Sequence, residues 1–233
     1  MEPLPGGHRN RVFLARRGGQ RLVVRTSGRP VDALEWEIEL LGFLAAAGLS
    51  VPAALPSDDG RSHVDGVLVT GFLDGRPPRD ADDWRLVVDE LVRLHELTRG
   101  WPQRPGFASS GWLLTGDLGA DVRLDAMPVE GVAAVRAAWG RLGHGDECVV
   151  HGDVGGANVL VDGRRVTLLD WDEARVDVSW FDFAFVPEDV EVPVPVERAA
   201  LVTAGVAWEA ATCWVAEPEY AARCLADLHA RQP

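Results

Sequence analysis

His151-Gly152-Asp153-Val154-Gly155-Gly156-Ala157-Asn158 runs directly into Val159-Leu160-Val161, then Asp162-Gly163-Arg164-Arg165, Val166-Thr167-Leu168-Leu169 and Asp170-Trp171-Asp172. Two short apolar, β-branched runs flank a glycine-containing turn, the pattern of a β-hairpin. In that hairpin Asn158 opens the first strand and Asp170 closes the second. Antiparallel pairing brings both to the same open end. Two oxygen-bearing side chains converge there, and Mg2+ commonly takes only one or two protein oxygens while phosphates and water supply the rest. Asp153 lies just upstream, where a carboxylate can accept a proton from an attacking hydroxyl. A loop of Asp, Gly and Asn is often no more than a turn. The conjunction of His151, Asp153, Asn158, the hairpin and Asp170 in one block puts chemistry ahead of coincidence.

Toward the N-terminus, Val12 to Arg16 and Arg21 to Arg25 flank Arg17-Gly18-Gly19-Gln20 and read as another hairpin. Asp32 with Glu35 three residues on signals a helix start, and Gly48 with Pro52 closes that helix. Val64 to Thr70 reads as a third strand leading into a hinge, Gly71-Phe72-Leu73-Asp74-Gly75. Beyond it the periods turn helical: Trp84, Val88, Leu91 and Leu94, then Val129 to Trp139, then two segments between Glu197 and Ala230. The expected fold is α+β in two lobes. Residues 1–70 form a small β-rich lobe with one main helix, 71–75 the hinge, and 76–233 a larger, mostly helical lobe that carries the catalytic hairpin.

Glu37 stands out in the first lobe. At 100° per residue, Leu34, Ile38, Leu41, Leu44 and Ala45 form the inward stripe and Glu37 falls inside it, while Glu35 and Glu39 point away. An inward carboxylate needs a partner. It either snorkels at the stripe edge or pairs with a base on a neighbouring strand, and Arg25, ending Arg21-Leu22-Val23-Val24, is the candidate so placed. Gly6-Gly7-His8-Arg9-Asn10 precedes the first strand and can fold over phosphates through backbone N–H groups. His95 sits at the centre of the Trp84, Val88 and Leu91 stripe and reads as a core histidine.

Composition sets outer bounds. The chain has 233 residues, 47% hydrophobic and 25% charged, enough for one or two globular domains. Its longest near-continuous apolar stretch, Leu40 to Leu49, is far short of the roughly 20 residues a spanning helix needs, and Met1 to Gly7 lacks a basic-then-apolar leader pattern. Cys148, Cys213 and Cys224 have no CxxC spacing, which fits a reducing cytoplasm and argues against a structural zinc. The net charge is −13, of which −12 falls after residue 75. Such a field repels phosphate backbones and disfavours nucleic acid, while a cationic small molecule is admissible. All 23 basic residues are Arg.

The block from His151 to Asn158, with Leu168-Leu169-Asp170-Trp171-Asp172 and Trp180-Phe181-Asp182-Phe183-Ala184, resembles the aminoglycoside phosphotransferase and choline kinase-like small-molecule kinases, which share the protein-kinase fold. The resemblance spans nearly the whole chain. It implies that Asp153 is the catalytic base and that Asn158 and Asp170 hold Mg2+. It further implies that Gly6, Gly7 and Asn10 belong to the nucleotide loop, that Arg25 with Glu37 grips the phosphates, and that Thr70, Phe72 and Leu73 lie against the adenine. Asp182 takes a structural role. Arg25 stands where many members have Lys, and only two helices follow Asp182. The implied activity is transfer of a phosphoryl group from ATP or GTP to a hydroxyl of a small molecule, an aminoglycoside-like or other basic compound, with antibiotic resistance as one setting. A nucleotide-binding pseudokinase without turnover is the alternative, and a metal-dependent hydrolase would leave Glu37 unexplained. Oligomeric state stays open.

Overall fold

A computed structural model describes residues 1–4, 10–143 and 145–231. In chain order its elements are β1 (Glu2–Pro3), β2 (Arg11–Arg17), β3 (Gln20–Thr26), α1 (Val31–Ala46), β4 (Val67–Gly71), α2 (Ala81–Leu97), β5 (Leu118–Gly119), β6 (Val122–Arg123) and α3 (Val129–Gly140). Then come β7 (Glu147–Val150), β8 (Val159–Asp162), β9 (Arg165–Leu168), β10 (Arg175–Val178), a 3₁₀ segment Ser179–Phe183, α4 (Arg198–Thr212) and α5 (Pro218–Arg231). Helix and strand are mixed in the α+β manner expected. The chain divides into two compact units, Met1–Glu90 with Gly156–Asp172, and Leu91–Gly155 with Glu173–Pro233.

The first unit is built on an antiparallel sheet in the order β1-β2-β3-β4. Gly18 and Gly19 both have positive φ, 55° and 85°, as the two-residue turn of a right-twisted hairpin demands, and Arg17 pairs with Gln20 across it. Helix α1 begins one residue before Asp32. Its N-cap is Pro30, with no side-chain cap, and the Asp32 carboxylate accepts the Ala33 N–H inside the first turn. Its C-terminus does close on Gly48 (φ 88°): the Leu49 N–H reaches the Leu44 carbonyl and the Gly48 N–H that of Ala45, a Schellman closure. Asp65 and Gly66 turn left-handed and fold Val64 back on Val67, so the third strand runs from Val67 to Gly71 instead of from Val64.

The hairpin β8–β9 groups with this first unit. Val161 exchanges two backbone hydrogen bonds with Arg76, and Leu168 donates to the Ser50 carbonyl. Gly75, just before Arg76, has no room for a side chain, since a Cβ there would lie 2.7 Å from the Leu160 Cβ.

The second unit packs α3, α4 and α5 around Val135, Trp139, Leu201, Trp208 and Leu228. Its longer ladder is β7 with β10, Val150 opposite Arg175 through Glu147 opposite Val178, and β5 pairs with β6 in a shorter one. Strand β10 alternates charged and apolar residues, which reads as a half-buried strand, yet Arg175 and Asp177 are buried along with Val176 and Val178. No described helix is long and apolar enough to cross a membrane.

Candidate active site

Strand β9 ends at Leu168 opposite Val159, and the Leu169 N–H then donates to the Asn158 carbonyl at 2.8 Å. Asn158 therefore heads one strand of the hairpin while Asp170 follows the last paired residue of the other, as the pattern predicts. Asp170 adopts φ 55°, a left-handed backbone that Asp tolerates better than most residues. Trp171, wholly buried, donates its indole N–H to the Leu168 carbonyl and anchors the turn.

On the same unit, Arg25 of β3 reaches Glu37 of α1 in a direct ion pair, and the Glu37 side chain is 1% exposed. The buried stripe of α1 is Ala33, Leu34, Trp36, Glu37, Leu40, Leu41 and Leu44. It is rotated toward Trp36 and Leu40, which leaves Ala45 exposed. Thr70 is buried in β4 opposite Val23. Phe72 donates its N–H to the Arg21 carbonyl and lies under the Arg21 guanidinium at 4.3 Å, and Leu73 is half-buried. Gly6 and Gly7 lie outside the described residues. Asn10 is buried, and its side chain hydrogen-bonds Asp172.

That last contact belongs to a cluster sequence reading missed. Arg29, in the link between β3 and α1, meets Asp172 through Nε to Oδ1 at 3.2 Å and Nη2 to Oδ2 at 2.6 Å. Burial alone would raise the Asp172 carboxyl, yet the hydrogen bonds and charge of Arg29, with Asn10 and Arg25, hold it below the ordinary carboxylate value. A cavity of about 590 Å³ opens beside Arg29, between residues 27–35 and 60–66, and its lining includes none of Arg25, Glu37, Asn158 or Asp170.

In the second unit, Asp182 organises the turn that bears Asp153. Its carboxylate accepts the His151 N–H at 2.9 Å and the Gly152 N–H at 2.8 Å, and His95 Nε2 lies 2.8 Å from it. Burial works to raise this carboxyl, but the His95 hydrogen bond and the charge of His95 and His151 outweigh it and lower the pKa. Gly152 takes φ 83°, and a Cβ there would stand 2.7 Å from the Glu173 carbonyl oxygen. Asp153, half-buried, donates its N–H to His151 Nδ1 at 3.3 Å. Cys148 is buried, and burial with the Asp182 charge pushes its thiol up, so it is no thiolate nucleophile.

The phosphotransferase enzyme family model matches residues 1–220. The chain belongs to this family. Among relatives of this chain, a homoserine kinase of Pseudomonas aeruginosa is 29% identical over 199 residues, covering 79% of this chain and 62% of the relative. The chain thus spans less than two thirds of the curated relatives it matches. Among solved structures, a microcompartment-associated aminopropanol kinase aligns with TM-score 0.67 at 21% identity, covering 99% of this chain and 89% of that one. A thermostable mutant of an aminoglycoside phosphotransferase, in ternary complex with ADP and hygromycin B, aligns with TM-score 0.63 at 15% identity, covering 98% and 92%. The chain therefore has the protein-kinase-like fold.

Among its described residues the chain has no cluster of three or more His, Cys, Asp or Glu suited to a metal. A site of one carboxylate and one amide oxygen matches a hard cation that draws its other ligands from phosphate and water. Asp170 and Asn158 carry one carboxylate and one amide oxygen, side chains whose chemistry fits Mg2+.

Proposed function

We propose that the chain transfers the terminal phosphoryl group of a nucleoside triphosphate, ATP in this reading, to a hydroxyl of a small molecule. The observation that carries the proposal is the ion pair between Arg25 and the buried Glu37, which a hydrolase built on the same carboxylates would not need. Glu37 fixes the guanidinium so that its remaining N–H groups are available to phosphate oxygens, a planar fork in place of a compact ammonium. Thr70, Phe72 and Leu73, at the 71–75 hinge segment, border the nucleobase. Asn158 and Asp170 hold Mg2+, which when bound offsets charge on the phosphates. Asp153 orients the acceptor oxygen and takes its proton as that oxygen bonds to phosphorus. The bond from phosphorus to the bridging oxygen breaks, and the nucleoside diphosphate keeps the electron pair. Positioning and electrostatic stabilisation supply the rate.

The net charge of −12 after residue 75 favours an acceptor that carries a positive charge, such as an amino alcohol or aminoglycoside. The named relatives, which act on homoserine and aminopropanol, fit that class. The test is nucleotide consumption across a panel of amino alcohols, aminoglycosides and neutral alcohols, with Asp153→Asn as the diagnostic variant. It keeps Mg2+-nucleotide binding by calorimetry and loses about 10²–10⁴-fold in kcat. Wild-type kcat in that variant with every active acceptor overturns the assignment of Asp153.

A further inference from the structure

We propose that Arg29 is a positioning residue for Asp170, acting through Asp172, and that it ties the metal-binding end of the hairpin to the start of the helix bearing Glu37. The proposal rests on reading Asp170 as a metal ligand. Arg29 and Asp172 are 143 residues apart in sequence, and their side chains are 12% and 8% exposed. The pairing is a two-pronged fork, Nε to Oδ1 and Nη2 to Oδ2, with Nη2 also 3.3 Å from the Asp172 carbonyl oxygen. A fork of this kind fixes orientation as well as distance. It grips both the side chain and the backbone of the residue two positions after Asp170.

Both ends of the fork are themselves fixed. Arg29 precedes Pro30, which restricts its backbone, its N–H donates to Ser27 Oγ, and the Ser27 N–H donates to the Gly66 carbonyl. Pro30 is the N-cap of α1, and its carbonyl accepts the Leu34 N–H. At the other end Asn10 holds Asp172 by a second side-chain hydrogen bond. Between Leu169, tied to Asn158 on the hairpin, and Asp172, tied to Arg29, Asp170 is left-handed at φ 55°. Such a conformation persists only where its surroundings over-determine it. Arg29 supplies one of the restraints that bracket Asp170, and the same side chain couples it to α1.

The experiment compares Arg29→Met, Arg29→Lys, Asp172→Asn and, as the reference for the ligand itself, Asp170→Ala. Calorimetry measures ATP affinity with and without Mg2+. Amide hydrogen exchange follows residues 169–173 and 31–35 in the metal-free protein. Arg29→Met is expected to weaken the Mg2+-dependent part of binding about 10–100-fold, the usual cost of losing a group that orients a ligand. Metal-free ATP binding should stay within about 2-fold, and exchange should quicken in both segments. Arg29→Lys, with charge but no fork, should recover only part of the loss. Asp172→Asn should resemble Arg29→Met.

Wild-type Mg2+ dependence and wild-type exchange in Arg29→Met, with Asp170→Ala still abolishing the Mg2+ effect, overturns the role of Arg29 and leaves the metal site standing. An Asp170→Ala variant with an intact Mg2+ effect instead overturns the site reading and this inference with it. Equal loss of metal-free and Mg2+-dependent binding in Arg29→Met and Asp172→Asn would mark a merely structural pair and also overturns the proposal.

Discussion

Asp170 and Asp153 occupy two turns, one in each unit, that solve the same problem differently. At the end of the hairpin the acidic residue itself is left-handed, Asp170 at φ 55°. In the second unit the neighbour takes the unusual conformation, Gly152 at φ 83°, and Asp153 follows it. The restraints differ as well. Asp170 is bracketed by a ladder hydrogen bond at Leu169 and a side-chain fork at Asp172. The Asp153 turn is held through its backbone, since the buried Asp182 carboxylate accepts the N–H groups of His151 and Gly152. The lesson is one of division of labour. Where the strained residue must also present a carboxylate, the fold uses Asp and braces it from outside. Where no side chain is needed, glycine adopts φ > 0 without penalty and a buried anion fixes its N–H.

The largest expected effect comes from removing that anion. In Asp182→Asn one of the two oxygens becomes an NH2, a donor facing either His95 and the His151 N–H or the Gly152 N–H. Breaking a buried charged network typically costs about 3–5 kcal/mol. The unfolding free energy in urea should drop by that order at neutral pH. Because the folded Asp182 carboxyl lies below its ordinary value, its contribution is complete above the unfolded value near about 4 and is lost as pH falls through the folded value. The gap between wild type and Asp182→Asn should therefore narrow below about pH 4. A gap that widens toward acid would show that the carboxylate is not stabilising the turn.

A second test separates strain from crowding by making the same change in both regions. Gly152 and Gly163 both have positive φ, but only Gly152 is hemmed in: a Cβ added there would meet the Glu173 carbonyl oxygen at 2.7 Å and the Arg175 Nη1 at 2.8 Å, whereas one added at Gly163 would find nothing within 4 Å. Gly163→Ala should cost only the left-handed penalty, about 1–2 kcal/mol. Gly152→Ala adds a clash with backbone that cannot rotate away, so its cost should exceed that of Gly163→Ala, and kcat should fall with it because Asp153 is displaced. Chemical denaturation of the two variants decides the matter. Equal costs would mean that the turn at Gly152 is free to relax.

The hairpin and the inward Glu37 were legible because each depends on local periodicity. Two apolar runs about a glycine turn set which residues face each other across β8 and β9, and a carboxylate inside a helical stripe has to find a base. His95 was legible as a core residue for the same reason, although its partner, Asp182, lies far along the chain. The Arg29–Asp172 fork was not legible, since two exposed-looking charges 143 residues apart carry no local signal. Asn10 was read toward phosphate because it follows two glycines, yet its side chain bonds Asp172. The complete burial of strand β10 was not legible, because its alternating charges imply one face in water. Arg175, wholly buried, pairs with Asp177 at 2.9 Å and lies 3.4 Å from the Trp208 ring centroid, while Asp177 accepts the Ser110 N–H and hydroxyl. Only tertiary packing makes such a strand tolerable in a core, and no window of sequence contains it.

The smallest expected effect lies where the hairpin is fastened within its own unit. Thr167, 3% exposed, donates its hydroxyl to Ser50 Oγ at 2.8 Å, beside the Leu168 N–H bond to the Ser50 carbonyl. Thr167→Val keeps the shape and the backbone bond but leaves the buried Ser50 hydroxyl without its donor. A single neutral hydrogen bond is worth about 0.5–1.5 kcal/mol net, and the cost in urea unfolding should lie in that range. Because the ladder from Val159–Leu168 to Asp162–Arg165 is untouched, Asn158 and Asp170 should keep their relation and Mg2+-dependent ATP affinity should stay within about 2-fold. If Thr167→Val instead weakened that affinity 10-fold or more, the side-chain tie to Ser50, and not the ladder, would be what sets the open end of the hairpin. The contrast drawn between a backbone-held turn around Asp153 and an externally braced one at Asp170 would then have to include the Ser50 tie as a further restraint.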